Sequence, residues 1–111
     1  MIEGLWIVQY EGTQGGDGGV VVFVNGQVIG GDNAYVYTGK YQADEKNISA
    51  RILVRNFNPQ IQNVLGIKGD YELAFTGTIT GPVIKASASL INQQGPGLVA
   101  KLTKVTDLTA S

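Results

Sequence analysis

The sequence predicts an all-β protein in which seven or eight antiparallel strands follow one another and close into an up-and-down β-barrel with one short helix. Asn25-Gly26 lies between two β-branched, aromatic-rich runs, and both residues accept the positive φ angles of a type I′ hairpin turn. Later segments alternate apolar and polar residues with the period of half-buried strands. Short turns join successive strands, and only the connection from Phe57 to Lys68 is long. This pattern favours a closed meander, because closure removes exposed strand edges.

The first half of the chain supplies the central hairpins. A strand is predicted from Gly4 to Tyr10, with apolar residues on both alternating faces, so we expect both faces to be covered. The segment from Glu11 to Gly19 contains five glycines and predicts a mobile loop. It lacks the sequence patterns of phosphate-binding loops, which favours a plain loop over a ligand cradle. The run from Val20 to Tyr41 contains the Asn25-Gly26 turn and a second reversal at Gly30 to Asn33.

The second half supplies four further strands with one apolar face each. We predict strands over Ile48 to Phe57, Tyr71 to Thr80, Val83 to Asn92, and from Leu98 onward. The predicted inward residues alternate with polar ones and are Ile48, Ala50, Ile52, Val54, Tyr71, Leu73, Phe75, Gly77, Ile79, Ile84, Ala86, Ala88, Leu90, Leu98, Ala100 and Leu102. Lys101, Thr103 and Lys104 are expected to face outward on the last strand.

The segment from Asn58 to Gly66 is the predicted short helix. Asn58 suits the N-cap, Pro59 suits the first helical position, and Gly66 suits the closing left-handed position. Ile61 lies on its apolar face with Val64 and Leu65. A helix of about two turns is not stable alone, so we expect it to dock over one end of the barrel.

Composition limits the functions that this chain supports. Its 111 residues predict a single domain, residues 1–111, and its net charge of −1 gives no field that attracts nucleic acid. The absence of histidine and cysteine argues against an enzyme, a metal site or a cofactor. The carboxylates lie in predicted turns, where they commonly bind their own backbone. No signal peptide or membrane span is evident, so the expected location is the cytoplasm.

Two features suggest binding. Small residues recur at predicted inward positions, namely Ala50, Gly77, Ala86, Ala88 and Ala100. They either make room for the large aromatic side chains opposite or leave a cavity for a small apolar ligand. The strand from Val20 to Val24, which is Val20, Val21, Val22, Phe23 and Val24, is apolar on both faces although one face of an antiparallel sheet normally meets water. A homodimer that buries this strand is the simplest explanation.

An ordered set of short motifs resembles the type III secretion negative regulator (GrlR-like) family over nearly the whole chain. The motifs are Gly4-Leu5-Trp6, Asn25-Gly26, Gly30-Gly31-Asp32, Tyr35-Val36-Tyr37-Thr38-Gly39, Asn56-Phe57-Asn58, Val64-Leu65-Gly66 and Asp70-Tyr71-Glu72-Leu73. The resemblance implies a small, dimeric, lipocalin-like barrel that sequesters a transcriptional activator of secretion genes. It also implies that partner contact uses an exposed acidic run, which here becomes Ala43-Asp44-Glu45-Lys46, so Asp44 and Glu45 are the expected contact residues.

The leading functional hypothesis is therefore a non-enzymatic regulatory protein that binds another protein. The alternative is a lipocalin-like carrier that holds a small apolar ligand inside the barrel.

Overall fold

The computed structural model describes residues 2–11, 18–58, 69–92, 94–95 and 97–108. They form a closed antiparallel barrel in which each strand pairs with the next and the eighth pairs with the first. The all-β, up-and-down barrel prediction is thus confirmed. The strands are β1 Gly4–Glu11, β2 Gly18–Val24, β3 Gln27–Gly31, β4 Tyr35–Ala43, β5 Asn47–Asn56, β6 Tyr71–Thr80, β7 Val83–Leu90 and β8 Leu98–Asp107.

The predicted reversals in the first half form as expected. Asn25 and Gly26 have φ angles of 50° and 76°, as a type I′ turn requires, and they connect β2 to β3. The second reversal lies between Gly31 and Tyr35, where the Asp32 carboxylate accepts hydrogen bonds from the backbone N–H groups of Ala34 and Tyr35, both at 2.8 Å. This bonding pattern is the typical way in which an aspartate stabilises a turn.

Strand alternation separates the core from the outer surface. All predicted inward residues of β5 to β8 belong to the buried core or pack against it, apart from Gly77, which is half-buried. The largest side chains with almost no exposure are Trp6, Phe23, Ile84, Leu102, Val28 and Val54. Full burial of one such aliphatic or Phe side chain stabilises the fold by about 1.5–3 kcal/mol.

The two ends of the barrel differ in chemistry. One end, the hairpin end, carries the turns after β2, β4 and β6. Here the rings of Trp6 and Phe23 meet edge to face at 6.2 Å, and the Trp6 indole N–H donates to the Ile2 carbonyl at 2.8 Å. The opposite end, the tyrosine end, gathers the interior residues Tyr10, Tyr35, Tyr37 and Tyr71 at the end of β1 and the starts of β4 and β6.

The start of β2 differs from what was expected, and the proposed helix lies outside what the structure describes. Gly18 and Gly19 were expected in a loop, but they begin β2 and pair with Gln9 and Val8. Backbone hydrogen bonds to β1 hold these two residues in the sheet, although glycine has no side chain to pack. The proposed helix lies outside the described residues, since those stop at Asn58 and resume at Gly69.

Lys104 was expected to face outward, and this was wrong. Lys104 pairs with the buried Trp6 in the same register as the preceding residues of β8, and the β1–β8 register shifts only beyond this pair, between Trp6 and Leu5. The Lys104 side chain is only 14% exposed, its ammonium lies 5.7 Å from the centre of the Trp6 ring, and it forms an ion pair with Asp107. Alternation from Leu98, Ala100 and Leu102 already places residue 104 on the inward face, and a lysine is accommodated there because its aliphatic stem can lie along apolar surface while its ammonium reaches a charged partner.

Candidate functional site

The acidic turn, residues 44–46, lies exposed between β4 and β5 at the hairpin end. The Asp44 Oδ1 accepts hydrogen bonds from the backbone N–H of Lys46 at 2.8 Å and of Asn47 at 2.7 Å. These two donors lower the pKa of Asp44 below its usual value. The Asp44 carboxylate is therefore a fixed negative charge on a short turn.

Glu45 is the second acid of this turn and differs from Asp44. It is exposed and makes no hydrogen bond or ion pair with any residue that the structure describes. Lys46 follows it and is also exposed. Asp44 thus gives the turn its shape, whereas Glu45 adds a flexible charge.

The β2 strand divides between the core and the outer surface. Val21 and Phe23 face the barrel interior, with 5% and 1% exposure. Val20, Val22 and Val24 alternate with them on the outside. Only these three of the five residues predicted for a dimer interface are therefore placed where a partner could contact them.

The outer valines belong to a larger apolar surface. Leu5 pairs with Val22, which pairs with Ile29, and one step along the strands Ile7 pairs with Val20. Val36 and Leu53 extend the surface onto β4 and β5. We call this surface the outer apolar face and define it as Leu5, Ile7, Val20, Val22, Ile29, Val36 and Leu53. Contiguous exposed apolar surface of this kind commonly marks a protein interaction site.

The barrel interior contains one small apolar cavity of about 50 Å³ near the tyrosine end. Of the small residues predicted to face inward, Ala88 and Ala100 line it, together with large side chains such as Phe75 and Tyr37. For comparison, an engineered apolar cavity of about 150 Å³ in another protein binds benzene. The cavity among the described residues is about a third of that volume, which favours the interpretation that large side chains fill the space beside the small residues.

A polar network borders this cavity. The buried Tyr37 hydroxyl donates to the Asp32 carboxylate and lies 3.2 Å from the Tyr10 hydroxyl. Burial is the main cause that raises the pKa of Tyr37 far above its usual value, and it also raises the pKa of Tyr71. Both phenols therefore stay protonated at neutral pH, and the Tyr37 hydroxyl serves as a hydrogen-bond donor.

The potential metal ligands are dispersed over the described residues. Within them, no three His, Cys, Asp or Glu side chains are grouped in a way that could hold a metal ion. No helix in the described ranges is long and apolar enough to cross a membrane. Asp32 and Asp44 both bind backbone N–H groups of their own turns, which agrees with the structural interpretation of the turn aspartates.

Sequence comparisons supply a family. A family model described as the type III secretion system negative regulator GrlR matches residues 1–92 of the chain. That range includes β1 to β7, the acidic turn and the outer apolar face, whereas β8 begins after it. No curated protein matches the chain in a sequence comparison.

Proposed function

Because the chain belongs to the GrlR family of type III secretion system negative regulators, we propose that it acts without catalysis, by binding and sequestering a transcriptional activator. The observation that carries this proposal is the family match across residues 1–92, a range that contains the exposed acidic turn. A cytoplasmic location is part of the proposal, since an activator acts where the genes are.

The acidic turn is the proposed contact for the activator. An activator that binds DNA through a helix-turn-helix carries a cationic surface, and the Asp44 and Glu45 carboxylates complement it. The backbone hydrogen bonds of Asp44 hold its carboxylate in place before binding, which reduces the ordering cost on association. Each exposed ion pair contributes only about 0.2–1 kcal/mol, so the charges mainly accelerate encounter and make binding sensitive to salt.

The test is an interaction assay with an activator encoded beside the gene, using the double variant Asp44→Ala with Glu45→Ala. We expect binding to weaken roughly 2- to 30-fold, as the loss of two exposed ion pairs implies. The affinity at high salt, where such pairs are screened, should change little. Glu11→Ala is the control, because it removes an exposed carboxylate from the opposite end of the barrel. Full-strength binding by the double variant would remove the acidic turn from the interface.

A gain of binding provides a sharper test of the same surface. Lys46 opposes the negative field of the turn, so Lys46→Glu should tighten binding to the activator. Lys101→Glu makes the same change of charge on an exposed outward position of β8 and should have a smaller effect. Equal gains for the two variants would show that net charge, and not the acidic turn, determines affinity.

We also propose that the protein is a homodimer through the outer apolar face. Four of its seven side chains, Ile7, Val20, Ile29 and Val36, are each more than 40% exposed in the single chain. Since full burial of such a side chain stabilises by about 1.5–3 kcal/mol, covering the exposed part of each adds roughly 1 kcal/mol per side chain in each copy. The sum over a two-fold interface is large enough to oppose an association cost of about 4–15 kcal/mol.

The dimer is tested with a matched pair of variants. Ile29 on the outer apolar face is 48% exposed, and Val99 on the far wall is 50% exposed, so Asp at either position has a similar cost for the single chain. Ile29→Asp should give folded monomer by light scattering, and Val99→Asp should leave the dimer intact. A monomeric unmodified protein at concentrations of tens of micromolar would end this proposal.

A further inference from the structure

Asp44 and Asn47 bracket the acidic turn, and neither Glu45 nor Lys46 between them has a positive φ angle. Two-residue hairpin connections usually adopt positive φ angles, because the resulting turns match the twist of the strands that they join. The turn at Asn25-Gly26 follows this rule, with φ angles of 50° and 76°. The acidic turn lacks that match to the strand twist, so other contacts have to stabilise its shape.

The Asp44 side chain supplies two of these contacts. Its Oδ1 accepts hydrogen bonds from the backbone N–H of Lys46 at 2.8 Å and of Asn47 at 2.7 Å. In a regular β-turn the N–H of the fourth residue donates to the carbonyl of the first, whereas here the Asn47 N–H donates to the carboxylate. The backbone adds a bond from Asp44 N–H to the Asn47 carbonyl at 3.0 Å, and a bond from Ile79 N–H on β6 to the Lys46 carbonyl at 2.7 Å. The carboxylate of Asp44 is thus part of the turn's own hydrogen bonding.

Asp32 shows the same pattern in a place where it serves the fold. Its Oδ1 accepts hydrogen bonds from the N–H groups two and three residues further on, those of Ala34 and Tyr35, both at 2.8 Å. Its other oxygen accepts a hydrogen bond from the buried Tyr37 hydroxyl. An aspartate with this pattern therefore stabilises a turn without any partner protein, and Asp44 has the same pattern on the surface.

The two acids of the turn differ in how far their charge is already bonded. The N–H groups of Lys46 and Asn47 stabilise the ionised Asp44 carboxylate and lower its pKa. They occupy two of the about four positions at which an ionised carboxylate accepts hydrogen bonds. Glu45 is exposed and accepts no hydrogen bond from any residue that the structure describes. Glu45 is therefore the freer acid for an incoming cationic group.

We propose that Asp44 is a positioning residue, which holds the acidic turn in its binding shape, and that Glu45 forms the ion pair with the activator. The inference rests on the proposed function, since it concerns the same contact. An ordered turn lowers the cost of association, because less of the chain has to be fixed when the partner binds. The Oδ1 acceptor of Asp44 is then essential to the contact, whereas its negative charge is dispensable.

Two substitutions at residue 44 separate the acceptor from the charge. Asp44→Asn keeps a side-chain carbonyl oxygen and removes the charge, and asparagine stabilises turns in the same way as aspartate. Asp44→Glu keeps the charge, but one more methylene group moves the carboxylate away from the two N–H groups. A positioning role therefore ranks asparagine above glutamate at this position, whereas a charge contact ranks glutamate above asparagine.

The first experiment follows the turn without any partner, by NMR measurement of amide exchange at Lys46 and Asn47 in the full-length protein. Asp44→Ala and Asp44→Glu should accelerate this exchange roughly 2- to 13-fold, as the loss of one net hydrogen bond implies. Asp44→Asn and Glu45→Gln should leave the exchange close to that of the unmodified protein.

The second experiment measures binding to the activator encoded beside the gene. Asp44→Ala and Asp44→Glu should weaken binding by up to about the same factor, because only the molecules with an ordered turn are ready to bind. Asp44→Asn should restore most of the affinity. Glu45→Gln should weaken binding roughly 1.4- to 5-fold and reduce its dependence on salt. Asp70→Glu is the matched control and should retain the affinity, because exposed Asp70 at the tyrosine end also accepts a backbone N–H, that of Asn56 at 2.9 Å.

The order of the two residue-44 variants decides the outcome. Full-strength binding by Asp44→Glu together with weak binding by Asp44→Asn would identify Asp44 as a charge contact and overturn this inference, while the proposed function stands. Unchanged amide exchange in Asp44→Ala would overturn the inference as well. If Asp44→Ala and Glu45→Gln both bind at full strength, the acidic turn is not the contact, and the proposed contact fails together with the inference.

Discussion

Removal of a single hydroxyl tests the polar network at the tyrosine end. In the variant Tyr37→Phe the aromatic ring stays in the core, and only the hydrogen bonds to Asp32 and Tyr10 are lost. Hydrogen bonds to a charged group contribute about 1.5–3 kcal/mol. Asp32 is half-buried, so water partly replaces the lost donor, and its other oxygen keeps the N–H groups of Ala34 and Tyr35. We therefore expect the free energy of unfolding to fall by about 1–2 kcal/mol.

Urea denaturation followed by the fluorescence of Trp6, the single tryptophan of the chain, measures this loss. The expected decrease in melting temperature is roughly 4–8 °C for each kcal/mol in a domain of this size class. Tyr10→Phe removes only a neutral hydrogen bond at 3.2 Å and should cost about 0.5–1 kcal/mol.

A double-mutant cycle with Asp32→Asn isolates the contact itself. The coupling free energy between Tyr37→Phe and Asp32→Asn should be about 1 kcal/mol, because the two groups share one charge-assisted hydrogen bond. Additive effects of the two changes, or an unchanged midpoint for Tyr37→Phe, would refute the reasoning and show that water satisfies Asp32 equally well.

Two further predictions concern stability. Because burial raises the pKa of Tyr37 and Tyr71 above the usual tyrosine value of about 10, their contribution to stability is complete below pH 10 and is lost as the pH rises above it. Above pH 10, each of these tyrosines lowers the free energy of unfolding by about 1.4 kcal/mol per pH unit. Tyr71→Phe should therefore reduce the dependence of the free energy of unfolding on pH, as measured by urea denaturation above pH 10. In the core, Leu102→Ala should lower the free energy of unfolding by about 2–5 kcal/mol, whereas Val99→Ala at an outward position of the same strand should change it by less than about 0.5 kcal/mol, apart from strand propensity. An equal effect of the two substitutions would show that strand propensity outweighs burial in β8.

Local sequence signals were sufficient for the fold. Asn25-Gly26 specifies its hairpin because few residue pairs accept two positive φ angles, and the structure has both. Alternation placed Ile48 and Val54 inside, since a strand with one wet face exposes every second residue. The short connections between successive strands predicted that the sheet closes into a barrel, and the structure is a closed barrel.

The surfaces were less predictable, because they depend on pairing between strands. Ile29 and Val36 are isolated apolar residues in their own strands, and only the register brings them beside Val22 and Gly31. The same limit applies to Lys85 and Lys101, which are sixteen positions apart in the sequence and directly opposite in the barrel. Lys104 is a different case, because alternation along β8 already places it on the inward face beside Trp6 and only its charge suggested the opposite.

The distribution of these surfaces makes the two parts of the proposed function separable. The outer apolar face occupies strands β1 to β5, whereas the acidic turn projects from the hairpin end between β4 and β5. A dimer through that face therefore leaves both acidic turns open, so that one dimer presents two contacts to a partner with two basic sites. Linked contacts increase avidity without changing the affinity of either one. Ile29→Asp should then weaken binding to such a partner while it preserves the affinity for a single isolated site. Asp44→Ala with Glu45→Ala should reduce the single-site affinity and leave the dimer unaffected.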